Sequence, residues 1–316
     1  MRLFSVRVYL AWKNALDGMA RYTLAVTGLG DRLSCFLLRH IDYRLWLGVR
    51  RRLHCRRLLP RGLRNRGAVA AANRYSLLGS RNPQDFTWLM QRRRLLDLAA
   101  VYAHNAQLLG QIARCSAQLN RVVEPLHRAG DPVLLAPMHT VSDVLATLVG
   151  AGVYPGRATV IVSGDAQEYV RQAPAHQWQQ HLDYCSIHDD RRLIAGKLAQ
   201  AVLEAADHGR NIILFPDITP DYTLHGNKDP SAKQACPLFE RPAQLHSGIV
   251  RLSRALRAQV VFYSLYYDHG VHIHIDEPVS AENVSHALPG IVERAMVRHA
   301  DDWLLWHSHS LFFINE

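Results

Sequence analysis

The sequence predicts an α/β fold, a largely parallel central sheet flanked by helices, preceded by a basic helical N-terminal region. Compact apolar runs separated by helical stretches appear only after about residue 130, the pattern of strands buried on both faces. In the first hundred residues Leu, Trp and Tyr alternate with Arg at helical spacing, as in Tyr43-Arg44-Leu45-Trp46-Leu47-Gly48-Val49-Arg50. The formal charge of +10 also divides: residues 1–130 hold 23 Arg+Lys against 6 Asp+Glu, whereas residues 131–316 hold 14 against 21.

In chain order, two or three helices are expected over the first hundred residues, with breaks at 60–67 and 79–83 where Pro and Gly collect. Residues 85–123 read as one or two helices ending before Pro125. Strands are expected at 132–136, 158–162, 211–215 and 260–265, the first three separated by helices. The alternating stretch 271–275 follows the turn Asp268-His269-Gly270 and reads as an antiparallel edge. A helix from about 288 to 306 closes the chain. The division that follows is a basic helical region, 1–125, associating with a membrane or packing on the core, and an α/β core, 126–316.

A chain of 316 residues with 48% hydrophobic and 20% charged residues is neither disordered, collagenous nor a small disulfide scaffold. Its five cysteines form no C-x-x-C pair and read as reduced and mostly buried. The longest run without formal charge, 98–113, is too polar to span a membrane, and the N-terminus lacks the features of a secretory signal. Between Asp42 and Asp85 there is no acidic residue but 11 arginines, which suits phosphate on lipid headgroups or nucleic acid. An apolar stripe beside arginines describes either a helix lying in a membrane interface or one packed on the following domain. The groups His269-x-x-His272-x-His274 and His307-x-His309 invite a metal hypothesis, and His272 and His274, facing the same way on a strand, permit chelation, but no cysteine or carboxylate cluster accompanies them, so no metal site is assigned.

Three segments at expected strand ends carry the candidate chemistry. His139-Thr140-Val141-Ser142-Asp143 follows the first strand, where ligands bind in open α/β sheets. If a helix begins near Thr140, His139 and Asp143 are four apart and can meet, giving a carboxylate-oriented general base; the alternative is that Asp143 is a first-turn acid complementing the helix dipole and His139 a bystander. Ser142 has no G-x-S-x-G context and does not read as a nucleophile. The second segment is Leu214-Phe215-Pro216-Asp217-Ile218-Thr219-Pro220-Asp221; the third is Pro237-Leu238-Phe239-Glu240-Arg241-Pro242-Ala243, followed by a helix with Arg251 and Arg254.

In order and content these segments resemble the bacterial lipid A biosynthesis acyltransferases, the late acyl-adding branch of the glycerophosphate and lysophospholipid acyltransferase superfamily. The stretch from Leu238 to Ala243, then Arg251-Leu252-Ser253-Arg254-Ala255 and Val260-Val261-Phe262, is similar to the family's Phe-Phe-Gly-Arg-Pro-Ala, helix, strand succession. Phe215-Pro216-Asp217 resembles the superfamily's Phe-Pro-Glu block, and Asp302-Trp303-Leu304-Leu305-Trp306-His307 its Trp-rich C-terminal helix.

The resemblance implies a glycerophosphate-acyltransferase-like core with His139 as base and Asp143 as its partner. It also implies acyl transfer from acyl carrier protein or acyl-CoA to a hydroxyl or amine, with no cofactor beyond that co-substrate, at the cytoplasmic face of a bacterial inner membrane. Asp217 is expected to bind acceptor hydroxyls, and Arg241 a phosphate or carboxylate. The chain departs from the family in having three rather than four residues between His139 and Asp143. It also has Ser163-Gly164-Asp165 where the family usually carries an arginine, which points to an acceptor other than ordinary lipid A. The alternative is a non-catalytic lipid- or nucleic-acid-binding protein that uses the arginine-rich region.

Overall fold

The computed structural model describes residues 30, 32–54, 61–79, 85–162, 181–186, 191–218 and 233–308. The segments Ser163-Gly164-Asp165 and Thr219-Pro220-Asp221 lie outside the described residues, as do Cys55, the 79–83 break beyond Gly79, and His309.

Helices come first: α1 at 32–40, α2 at Tyr43–Arg52, α3 at Arg61–Leu78, α4 at Phe86–Asp97, a π turn at Leu98–Tyr102, and α5 at Ala106–Arg128. Asp42, Asp85 and Asn105 cap α2, α4 and α5 by accepting from backbone N–H groups that have no partner within the helix. The expected break at 60–67 does not extend past Pro60, because Gly67 sits inside α3. A Cβ there would meet Thr87 Cγ2 at 3.2 Å, so the glycine serves the approach of α3 to α4. Nor does α5 stop before Pro125; it continues to Arg128, since a proline this near the end costs one i→i−4 hydrogen bond and little more.

Strands β1 (Val133–Pro137), β2 (Ala158–Val162), β3 (Leu182–Ser186) and β4 (Asn211–Leu214) follow, with α6 (Asp143–Ala151) after β1 and α7 (Arg191–Ala206) after β3. Next come the hairpin β5 (Lys233–Leu238) and β6 (Arg241–His246), then α8 (Gly248–Leu256), β7 (Gln259–Tyr267), β8 (Val271–Ile275), β9 (Val279–Ser280) and α9 (Val284–Arg298). The main sheet runs β3-β2-β4-β1-β7-β8, with β9 also on β7. The pairs among β3, β2, β4, β1 and β7 are parallel, and β8 and β9 are antiparallel to β7. The α/β architecture and the antiparallel β8 agree with the sequence expectation. The closing helix differs: α9 begins earlier and ends at Arg298, and turns, the bridging residue Trp303 and a short 3-10 helix at 306–308 carry the chain from 299 to 308.

Alternation along β1 divides the core. Val133 and Leu135 join the apolar cluster formed with α5 and α6, and Leu134 and Ala136 join the one formed with α8 and α9. Both faces of the sheet are therefore covered. The helical region shares the first cluster through Leu38, Tyr43, Leu47 and Trp88. A polar tie adds to it: Gln111 Oε1 accepts from Tyr43 Oη at 2.5 Å and from the Val271 backbone N–H at 2.8 Å.

Candidate active site

At the carboxyl end of β1 the chain leaves the sheet through Met138, whose N–H donates to Tyr263 O at 2.9 Å, and reverses over His139 to Ser142. Val141 holds φ at +57°, an uncommon conformation for a β-branched residue that surrounding contacts must enforce. Residues 302–304 supply those contacts. Val141 N–H donates to Asp302 O at 2.9 Å, Leu304 N–H donates to His139 O at 2.8 Å, and Thr140 bridges Trp303. Asp302 is itself anchored, by a buried ion pair with Arg92 and by the Tyr267 N–H at 3.0 Å.

The carboxylate that meets His139 is Asp217, just beyond β4. Its Oδ1 lies 2.7 Å from His139 Nδ1, and its Oδ2 accepts from the His139 backbone N–H at 2.9 Å and from Trp303 Nε1 at 2.8 Å. Because an ionised carboxylate only accepts, Nδ1 must be the donor, which leaves Nε2 as the lone-pair nitrogen of the neutral ring. Burial of Asp217 pushes its pKa up, but the positive charge and hydrogen bond of His139, with the Trp303 bond, outweigh it and leave the carboxyl below its ordinary value.

Two expectations are corrected by this geometry. Asp143 is not the partner of His139: as the first residue of α6 it is ion-paired with Arg93 at 2.5 Å. Asp217 does not face an acceptor, because it is fully buried and its oxygens are taken by three donors. Ser142 is also fully buried; its Oγ caps α6 by accepting from Leu145 N–H at 3.1 Å and donates to Asp97. The Asp97 carboxyl is pushed up to about 7 by burial and by the nearby charge of Asp143, against the pull of Arg93.

Arg241 is elsewhere. It follows the two-residue turn of the β5–β6 hairpin, where Phe239 and Glu240 have φ of +50° and +61°. It donates to Ser76 Oγ and O at 3.2 and 3.3 Å, and it is not among the described residues around His139.

His139 opens onto a cavity of about 970 Å³ whose lining is mainly aliphatic and aromatic. Leu214, Phe215, Val160, Ile161, Val162, Tyr184, Leu198 and Val202 line it, together with Leu252 and Ala255 of α8. The lining crosses β4, β2 and β3, with His139 just beyond the end of β1. Among the described residues its polar groups are His139, Asp143, Thr147, Tyr184, His246, Arg251 and Arg254. Phe215 packs against the His139 ring with centroids 4.5 Å apart.

Among the described residues no three His, Cys, Asp or Glu side chains form a group that could hold a metal ion. No known family model and no curated protein matches the chain. Arg93, Asp97 and Trp303 escaped assignment as site residues because nothing in their local sequence ties them to His139. The Phe-Pro-Asp end of β4 was the available signal for the true carboxylate partner.

Proposed function

We propose that the protein is an acyltransferase that moves a fatty or related acyl group from a thioester of acyl carrier protein or coenzyme A to a hydroxyl or amine. The observation that carries this reading is the His139–Asp217 pair, whose imidazole opens onto a largely apolar cavity of about 970 Å³. A carboxylate that fixes the imidazole tautomer makes Nε2 a general base, a role that contributes about 10²–10⁴-fold. A cleft lined mainly by aliphatic and aromatic side chains suits the hydrocarbon of the donor, each buried methylene stabilising the complex by about 0.8 kcal/mol.

In the proposed reaction the acceptor O–H or N–H gives its proton to His139 Nε2 as the acceptor atom bonds to the thioester carbonyl carbon. The tetrahedral oxyanion then collapses, the C–S bond breaks, and the imidazolium returns the proton to the departing thiolate. Asp217 stays ionised and stabilises the imidazolium. The N-terminus of α6, whose Asp143, Val144 and Thr147 line the cavity, places the positive end of a helix dipole beside the developing negative charge. The thioester is already activated, so no covalent enzyme intermediate is required.

Association with an anionic membrane surface is part of the same proposal. Leu45 and Val49 of α2 and its C-cap Leu53 recur every fourth residue and stay 67%, 44% and 69% exposed, and Leu33 and Phe36 of α1 are 56% and 62% exposed. Arg50, Arg51 and Arg52 crowd the last turn of α2. An exposed apolar ridge beside arginines fits the interface of an anionic bilayer such as the cytoplasmic face of an inner membrane. Among the described residues no helix is long and apolar enough to cross one.

The test is to compare, by mass spectrometry, lipids and small molecules of cells lacking the protein with those of cells supplied with wild type or His139→Gln. An acylated product restored by wild type alone supports acyl transfer. Restoration by both refutes catalysis at His139.

A further inference from the structure

We infer that a second, smaller cavity, lying between α5, the start of α2 and the β7–β8 turn, binds a phosphate group through Gln111 and Arg114, an inference independent of the acyl-transfer reading. The cavity is about 210 Å³, and among the described residues it shares no lining with the one at His139. Gln111, Arg114, Cys115 and Gln118 recur at i, i+3, i+4 and i+7 of α5, so one helix face forms part of its wall. Val271 is the one aliphatic side chain in the described lining, which suits a polar ligand and not a hydrocarbon chain.

The Gln111 amide supplies a donor. The residue is only 7% exposed. The Val271 backbone N–H, which can only donate, lies 2.8 Å from Oε1, and Tyr43 Oη donates to the same oxygen at 2.5 Å. These bonds fix the orientation of the amide and leave Nε2, with its two N–H groups, in the cavity wall with no acceptor among the described residues. A buried donor is costly to leave unanswered. The neighbouring turn is shaped around that amide. A Cβ on Gly270 would lie 3.0 Å from Nε2, while the left-handed residue of the turn is His269, at φ +50°. Glycine at 270 therefore answers to the approach of Gln111 and not to the turn's own backbone.

The charge of the lining is positive. Among the described lining residues there is no carboxylate, and Arg114 has no carboxylate partner. Arg44 is different. Its Nε and Nη2 pair with Asp42 at 2.7–3.1 Å, and its Nη1 reaches His269 O at 3.4 Å, so it ties α2 to the turn and adds no net charge. Burial pushes the Cys115 thiol up to about 11, against the pull of Arg114, so the sulfur stays neutral. A guanidinium and an unanswered amide on one helix face offer more N–H donors than the two oxygens of a carboxylate can take, which favours phosphate. Its source is either a free phosphate ester or a phosphoglyceride headgroup, reached from the bilayer on which α2, the helix carrying Arg44, is proposed to lie.

The experiment is calorimetric titration of the full chain with glycerol 3-phosphate, with glycerol, and with dihexanoyl phosphatidylglycerol below its micelle-forming concentration. Wild type should bind at least one of the two phosphates and not glycerol. Arg114→Gln, at an exposed position, should weaken that binding about tenfold, the worth of one charge-assisted contact. Gln111→Glu keeps an acceptor for Tyr43 and Val271 while turning the donor end into an oxygen, and should weaken it at least as much, with thermal melts to confirm folding. Gly270→Ala, whose Cβ would crowd Nε2, should also weaken it and serves where the buried glutamate unfolds the chain. Failure of both phosphates to bind wild type, or binding undiminished in Arg114→Gln, overturns the site. Tighter binding of glycerol 3-phosphate assigns the cavity to a free phosphate ester, and tighter binding of the lipid assigns it to a headgroup. No outcome requires turnover, so failure here leaves the acyl-transfer proposal standing, and failure of the His139 tests leaves this one standing.

Discussion

Asp217 grips His139 at two points, accepting from the ring Nδ1 at 2.7 Å and from the backbone N–H at 2.9 Å, so that one buried carboxylate fixes both the orientation and the tautomer of the imidazole. The two residues are 78 positions apart and meet because β4 lies beside β1 in the sheet. Asp143, four positions from His139, is drawn instead to Arg93.

This relationship ranks the two carboxylates. Asp217→Asn should lower the turnover of acyl transfer by about 10²–10⁴-fold, because an amide can neither hold the same tautomer reliably nor stabilise the imidazolium. Asp143→Asn should reduce it far less. Steady-state rates of both variants, with thermal melts to confirm folding, decide the order; the reverse ranking would move the functional carboxylate to Asp143.

The two tryptophans of the C-terminal segment offer a paired control. Trp303→Phe removes a donor to the buried Asp217 Oδ2, and leaving a buried acceptor short costs about 1–3 kcal/mol. Trp306→Phe removes a bond to Ala300 O and should destabilise to a similar degree. Urea unfolding should show both losses, but turnover should fall beyond the loss of folded protein in Trp303→Phe only.

The site was legible in the sequence only where the chemistry was local. His139 stood out because it follows a compact apolar strand, and Asp217 because it closes Phe-Pro-Asp at another strand end, but spacing pointed to Asp143 as the partner. Spacing along the chain reports helix neighbours and is blind to strand order, which is what joins His139 to Asp217. The fold shows the same division. The boundaries expected for β2 and β8 match those observed, because both strands are bounded stretches of regular pattern. Strand β3, Leu-Asp-Tyr-Cys-Ser, escaped notice because only part of it is buried at the sheet edge. The β5–β6 hairpin was missed because Pro237 and Pro242 interrupt its pattern and few of its side chains are buried.

Two titrations with opposite signs should shape stability against pH. Asp97 keeps its proton in the folded state up to about 7, whereas the unfolded chain releases it near the ordinary 3.8. Between those values the folded state binds more protons, so this contribution to stability declines as pH rises. Asp97→Asn removes the decline, and its melting temperature relative to wild type should climb from pH 4 to pH 8.

His299 works the other way. Burial, with the charges of His274 and Arg298, lowers its pKa to about 4, whereas the unfolded chain takes up the proton near 6.5. Its contribution is complete above 6.5 and is lost as pH falls toward 4. His299→Phe, which keeps an aromatic ring to stack on Tyr266, should flatten the acid limb of the melting profile, and an unchanged limb would exclude His299 as its source.

The most direct test of the central claim is the release of free thiol from an acyl thioester by purified protein in the presence of a hydroxylated or amine acceptor. Wild type, His139→Gln and Asp217→Asn would be compared at matched folded concentrations. The account predicts acceptor-dependent thiol release by wild type, essentially none by His139→Gln, and a residual rate for Asp217→Asn. Release by His139→Gln at the wild-type rate, with its melt unchanged, would contradict it.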